Sequence, residues 1–600
     1  MSEDDEVEKP VKNWRRFARL KSRRNLLKRS ARKIETATLK HAHRFIIRRL
    51  DNVREVRRHA LSWLALMILL IGLSVLHLTM YQGVFGKVAP VAGGTYAEGL
   101  IGSLDTMNPL FASTSAERAA SKLLFSSLLS YDRANKLRGE LAETWLSGDD
   151  GKTFTVRLRD KLVWHDGKPL TADDVIYTVG LMKNPRVNTA LSRTWGNVTA
   201  TKVNNREVNF TLPAAYAPFP HALTFGIVPK HLLAQVPVER LRENEFNRQP
   251  IGSGPFAFRS LQIINQDASR MVVYMTAFKK YVLGAPKLEN FQLHTYKDQA
   301  QLKNGFLTDE INAAADLTSD DLYSIASTKS DAVVSKATLN NGVFALFRND
   351  SPILKELEVR RALQEATNRP AILSQLHDYG VLMDGPLTKD LVNIGRRQEA
   401  YNPEAAAQKL ESAGWTLVDG VRQKAGTPLS LSVVAPKSGD YETVVNAIAE
   451  QWRKIGVDVK IDLTSPASIQ QNIIVPRNYD VLIYELAIGA DPDVFAYWHS
   501  SQSNSLGFNL TNYVSPISDD ALSSARGRLD PTLRKAKYEA FTQQWLNDVP
   551  AIALYQPRLH YIVDETARTL TSQTVIPESA GRYRAVEYWT VNRERLNNTP

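Results

Sequence analysis

The sequence predicts an α/β protein of two lobes carried behind one membrane-crossing helix. Three observations predict it. The chain has 600 residues, too many for one ordinary core. One apolar run, Ala60–Tyr81, is long enough to span a bilayer. Strand and helix patterns then mix after residue 95, without Pro/Gly/Ser-rich linkers between them. That favours two lobes crossed more than once by the chain over a string of sequential domains.

The first element is basic. Residues 1–60 hold 19 Lys/Arg against 8 Asp/Glu, a net of +11 out of +12 for the whole chain, which leaves the other 540 residues nearly neutral. The exterior therefore has no general basic face, and no specific nucleic-acid partner is expected. Residues 1–59 read as a solvated, topology-setting segment with a disordered acidic start, "SEDDEVE". Lipid headgroups or nucleic acid are its competing partners.

The second element is "ALSWLALMILLIGLSVLHLTMY". No Asp, Glu, Lys or Arg occurs between Arg58 and Lys87. As a helix the run spans roughly 33 Å, against a hydrocarbon core of about 30 Å. Trp63 and Tyr81 stand near its ends, where amphipathic rings favour the interface. The basic flank places the N-terminus in the cytoplasm and residues from about 82 outside the cell membrane. A cleaved signal has a shorter basic start and apolar core and a small-residue cleavage site, so the run reads as an uncleaved signal anchor. "GVFGKVAPVAGG" then gives a linker over 82–94.

Beyond the linker, "TFTVRLR" alternates, with Phe154, Val156 and Leu158 on one face. "HDGKPL" holds the hairpin pair Asp166-Gly167. A helix follows, with Thr171 as N-cap, Asp174 in a capping-box position and Asp173 in the first turn. The cluster His165, Asp166, Asp173 and Asp174 is thus a turn and a helix start, and His165 a turn or surface residue. "NPEAAAQKLESAGW" reads Asn cap, Pro at the first helical position and Gly stop. Residues 440–456 form a helix with Val444, Ile448, Trp452 and Ile455 on one stripe, followed by the strand "VDVKIDL". "FALFRN", "LSLSVVAP", "YDVLIYELA" and "AIALYQP" are further strands.

The chain has no cysteine, which removes disulfides, thiolate zinc sites, a cysteine nucleophile and lipid attachment through cysteine. No H-E-x-x-H, Walker loop, G-x-G-x-x-G after a strand or G-x-S-x-G occurs. The expectation is a binding protein and not an enzyme, with no catalytic residue, metal or cofactor.

The stretch Leu141–Val179 resembles the signature region of the family 5 extracytoplasmic solute-binding proteins, the oligopeptide-, dipeptide- and nickel-binding components of ABC importers. Five further stretches match in order: "GSLDTMNPLFA", "PIGSGPFAF", "VRRALQEATNRPAIL", "YNPEAAAQKLESAGW" and "DPDVFAYWHSSQ". The resemblance covers about 95–595. It implies a periplasmic-binding-protein-like clamp of the class II type. Lobe 1 would take 95–343, lobe 2 344–550, and 551–600 would return to lobe 1, with "FALFRN" and "AIALYQP" at the crossings. Ligand, a peptide or peptide-like solute, would lie in the interlobe cleft. The partners would be ABC permease subunits with cytoplasmic ATPases, and the membrane through Ala60–Tyr81.

Peptide binders of this family pair the peptide amine with an aspartate in or just before the D-P-D region. Here that region reads "YELAIGADPDVF", and the amine-pairing position falls on Ile488–Ala490, where there is no acid. Asp491 is the nearest acid but aligns with the turn, and Glu485 is a second candidate. The ligand-binding set implied by the resemblance is Glu98, Trp195, Asn349, Tyr484, Glu485, Ala487, Ile488, Gly489, Asp491 and Trp498. The departure at 488–490 leaves room for a blocked peptide, a cell-wall fragment or another solute. Nickel-chelate binding is an alternative, with His499 the histidine near the D-P-D segment. A surface sensory protein that reuses the clamp without transport is another.

Overall fold

The structure, a computed structural model, describes residues 53–189, 191–265, 270–569 and 575–597. Most of the expected basic segment, residues 1–52, lies outside the described residues. The chain divides into two units, Met1–Ala89 with Arg595–Pro600, and Pro90–Glu594.

In the first unit one helix runs Val53–Phe85. Its window His59–Leu78 has mean hydropathy 2.3 over 20 residues, and none of it is buried. Leu61, Leu64, Ile68 and Ile71 are all exposed. A helix that is apolar on every side matches a lipid surrounding better than water. The stretch expected as a linker is more regular than its composition suggests. It holds the helix end at Phe85 and a strand, Gly86–Val91.

The second unit is built on two large sheets. A seven-stranded sheet contains Thr95–Ile101 beside Asn290–Tyr296 and Ala313–Ala315, parallel to both. Its far strands are Arg270–Ala277 and Phe256–Asn265 on one side, Tyr561–Asp564 and Ala332–Val334 on the other. A six-stranded sheet runs in the order 380–382, 551–557, 341–347, 481–487, 430–436, 458–464. Alternation along Asn341–Phe347 sends Val343, Ala345 and Phe347 into one core and Phe344 and Leu346 into another, one on each face. The predicted α-to-β unit is present. Helix Tyr441–Lys454 buries Val444, Ile448 and Trp452 and joins the parallel strands Ser430–Pro436 and Asp458–Thr464.

Asn341–Phe347 and Ala551–Pro557 pair with each other inside the six-stranded sheet. Both strands expected at the crossings are thus inner members of the six-stranded sheet. Alternation marks a strand but not the sheet it joins.

A four-stranded sheet of the first lobe holds Ala142–Ser147, Thr153–Leu158, Glu207–Thr211 and Thr199–Asn204. Phe154, Val156 and Leu158 are its buried face. The turn after it has Gly167 at φ +83° and the bridge Val163–Pro169. Thr171 caps the following helix, Ala172–Lys183, in a capping box with Asp174. Asp173 pairs with Lys202 at 2.6 Å. His165 lies in this turn and is half-buried. Its Nδ1 accepts from Gly252 N and its Nε2–H donates to Gly254 O, both at 3.1 Å, which ties the turn to the "GSG" stretch. Burial pushes its pKa down to about 4, against the smaller opposing effects of the Gly254 carbonyl and Asp166.

Candidate functional site: the seam between the lobes

The register of the second lobe sets the site. Ala487 lies opposite Asn341, so the loop after strand Val481–Ala487 emerges beside the crossing at Asn340. Ile488 N and Gly489 N both donate to Asn340 O at 2.9 Å. Gly489 has φ +80°, a left-handed conformation that suits glycine. The loop is thereby pinned to the crossing chain, and its acids follow at fixed positions.

Asp491 receives both forks of Arg534, at 2.8 and 2.9 Å. His221 of the first lobe stands 3.7 Å from the same carboxylate and bonds Tyr131 at 2.9 Å. Burial works against the charge on Arg534, but Asp491 overrides it and the guanidinium pKa is raised. Burial lowers the pKa of His221, and Asp491 only partly offsets it. Asp493 accepts from Arg526 Nε at 3.0 Å and from the Tyr216 hydroxyl at 3.1 Å. The Arg526 guanidinium carbon lies 4.9 Å from the Tyr216 ring centre and 4.3 Å from that of Phe495. Ala217 N also donates to Arg526 O at 2.8 Å. A second clasp joins Ser319 of the first lobe to Asp440 of the second, at 3.1 Å from N and 2.6 Å from Oγ.

Beside the first clasp lies a cavity of ≈650 Å³. Trp195, Tyr216 and Phe219 line it from the first lobe, and Phe495, Phe508 and Arg526 from the second. An apolar chamber with one cation at its edge and walls on two bodies suits a solute held by contact area and released by separation.

The residues expected to bind ligand fall into two groups. Tyr484, Glu485, Ala487, Gly489 and Asp491 lie along the end of the strand and the loop beside the crossing. Of these, Asp491 is committed to Arg534. Glu485 accepts from Asn341 Nδ2, and burial raises its pKa. Ile488 occupies the expected amine-pairing position, but its side chain packs into the second-lobe core. Trp195 lines the cavity, yet it is mainly packed among Phe210, Phe219 and Phe225.

Three residues lie away from the seam. Glu98 is wholly buried and paired with Arg582 at 2.6 Å, with Tyr561 donating to it at 2.9 Å. Its strand is central in the seven-stranded sheet, and its carboxylate meets the C-terminal return. Asn349 stands past the opposite end of its strand from the crossing, about 25 Å along it. There it donates to the carbonyls of Phe347, Thr511 and Pro550. Trp498 is packed against Phe344 and Trp545 in the second-lobe core.

Sequence reasoning missed Tyr216, His221, Arg526 and Arg534. The two arginines sit in helices Pro516–Gly527 and Pro531–Asp548, where exposed and buried charges have the same letters. His221 lies 270 positions before Asp491, and no spacing rule links them. Among the described residues no group of three or more His, Cys, Asp or Glu is placed to hold a metal ion.

Comparison with known proteins bears on this two-lobed clasp. The family model "Bacterial extracellular solute-binding proteins, family 5 Middle" matches residues 136–507. The oligopeptide-binding protein AppA of Bacillus subtilis is 28% identical over 493 residues, covering 79% of this chain and 88% of AppA. The dipeptide-binding protein of Escherichia coli is 24% identical over 499 residues, 77% of this chain and 90% of that protein. The structure of Bacillus subtilis AppA in complex with a nonapeptide matches with TM-score 0.69 and 26% identity, over 84% of this chain and all (100%) of AppA. That of NikZ from Campylobacter jejuni in complex with Ni(L-His) matches with TM-score 0.70 and 25% identity, over 83% and 99%. A match over more than half the chain, on a two-lobed fold with a clasped seam, leads to one conclusion: the chain belongs to the family 5 bacterial extracellular solute-binding proteins, which bind solutes and are not enzymes.

Proposed function

We propose that the chain is a membrane-anchored receptor that captures peptides or peptide-like solutes between its lobes and delivers them to an ABC import permease. The observation that carries the reading is the apolar ≈650 Å³ cavity walled by both lobes. Its opening and closing are coupled to the Tyr216–Asp493–Arg526 clasp. The ligand stabilises the closed arrangement by contacts that exist only there. The anchor is helix Val53–Phe85, with its unburied apolar window. The basic flank sets its N-terminus in the cytoplasm and the lobes outside.

The peptide amine is not the handle. Ile488 stands at the expected partner position, Asp491 is occupied by Arg534, and burial favours the neutral form of Glu485. Tyr484, Ala487 and Gly489 present ring and backbone surface beside the crossing, and the solute is held by that surface and by the aromatic cavity. A blocked peptide or a cell-wall peptide fragment fits this arrangement as well as a free one.

Native mass spectrometry of the full chain in nanodiscs tests the reading. A co-purifying set of peptide masses, displaced by added peptide, is expected. No bound mass, together with no thermal shift across a peptide library containing free and N-acetylated members, would overturn it.

A further inference from the structure

Arg584 lies in the C-terminal return to the first lobe and is 6% exposed. Its Nη1 reaches Asn135 Oδ1 at 3.5 Å, while its Nε and Nη2 have no hydrogen-bond partner. Those two N–H groups share one edge of the guanidinium plane. Together they make a side-on fork that matches the two oxygens of a carboxylate. Arg584 lines a cavity of ≈50 Å³. A water needs about 10–15 Å³ of such space, so the cavity has room for a carboxylate group but not for a whole solute.

The rest of the wall carries two cations, Lys122 and Arg138, and three acids, Glu140, Glu578 and Glu587. Arg138 stands 3.5 Å from Glu587. Glu140 accepts from Ser127 Oγ at 2.7 Å and from Tyr281 at 3.0 Å. Lys122 and Glu578 carry opposite charges on the wall shared with the adjoining cavity. Arg584 has Asp132 as its acidic neighbour. Burial pulls its pKa down to about 10, which leaves it a cation at neutral pH. A buried cation with an empty fork is costly unless an anion completes it.

The cavity also borders the seam. Tyr131 is part of its wall, and the same hydroxyl bonds His221, which approaches Asp491 of the second lobe. We propose that Arg584 seats a carboxylate of the bound solute, so that the cleft selects acidic solutes by an acidic side chain or a C-terminal carboxylate. The proposal rests on the solute-binding reading above.

The test uses the full chain in nanodiscs as wild type, Arg584→Met and Arg584→Lys. Each is titrated with Ala-Ala-Glu-Ala-Ala, with its Gln counterpart, and with the C-terminal amides of both. Separately, sodium acetate replaces sodium chloride at constant ionic strength, with thermal stability as the readout. In the wild type, loss of the seated carboxylate weakens binding about tenfold or more, the scale of a lost charge-assisted fork. Whether the Gln or the amide change causes the loss identifies the source. In Arg584→Met the preference disappears, while the carboxylate-free peptide binds as it does to the wild type. Arg584→Lys keeps the charge without the fork and falls between. Acetate stabilises the wild type and not the Met variant. If no peptide binds but the acetate effect depends on Arg584, the anion seat stands and the peptide reading fails. If folded Arg584→Met or Arg584→Lys keeps the full wild-type preference and acetate response, or if the wild type shows neither, the proposal is overturned.

Discussion

Tyr216 donates its hydroxyl to Asp493 across 3.1 Å, and the two residues belong to different lobes. Arg526 holds the same carboxylate from within the second lobe, so the hydroxyl meets an acceptor already fixed in place. A hydrogen bond to a charged group contributes about 1.5–3 kcal/mol. Tyr216→Phe should therefore lower the closed-to-open ratio by roughly 10–100-fold. Single-molecule distances between dyes on the two lobes report that ratio directly. Apparent ligand affinity should fall by the same factor where the closed state is the minor one. Unchanged distances would mean that the clasp does not govern closure.

Glu98 and Arg582 are 0% and 1% exposed, with Tyr583 and Tyr561 also donating to the carboxylate. Breaking such a pair strands one buried charge. Glu98→Gln should cost about 3–5 kcal/mol, visible as a lowered urea midpoint. Replacing both partners by apolar residues should recover much of that loss.

His165 makes stability sensitive to acid. Its folded pKa, pushed down to about 4 by burial, lies below the ordinary value of 6.5. Between those values the unfolded chain binds the proton and the folded chain does not. The contribution is whole above about 6.5 and is lost as pH falls towards 4. It amounts to at most about 3 kcal/mol at the acid end. Thermal melts of wild type and His165→Gln from pH 7.5 to 4.5 should converge as the pH drops, with the wild type losing more.

Glu485 behaves in the opposite sense. Burial raises its folded pKa. The folded chain then holds a proton that the unfolded chain has released, and stability falls as pH rises through that window. Glu485→Gln should raise the melting temperature at pH 7.5, with the gain shrinking towards the ordinary carboxylate pKa. Peptide binding should survive the change, and N-acetylated and free-amine peptides should bind alike. A strict loss of free-amine peptides in Glu485→Gln would reinstate this carboxylate as the amine partner.

Local features were legible in the sequence because their causes are local. Thr171 and Asp174 form the capping box read from four letters, and Asn402 caps its helix through Ala405 N. Phe154, Val156 and Leu158 face inward as the two-residue period requires. The loop at 488–491 was legible as the segment that follows strand Val481–Ala487. What bound Asp491 was not legible, because Arg534 and His221 reach it from a later helix and from the other lobe. Glu98 and Asn349 were placed in the cleft because family order locates a strand but not which way its side chain or far end points. His165 was legible as a turn residue, but not its ties to Gly252 and Gly254, which offer only backbone.

The first strand also has a history in time. Glu98 waits for Arg582, 484 positions later, and strand Tyr561–Asp564 must slip between Ala313–Ala315 and Ala332–Val334. At about 5–20 residues per second, roughly 25–100 s of synthesis separate the two partners. The second lobe, contiguous from 341 to 557, has all its strands before the first lobe receives its last. The half of the clamp that is begun first is thus finished second, and until then it carries an unpaired acid and an open gap in its sheet, the kind of surface that chaperones guard.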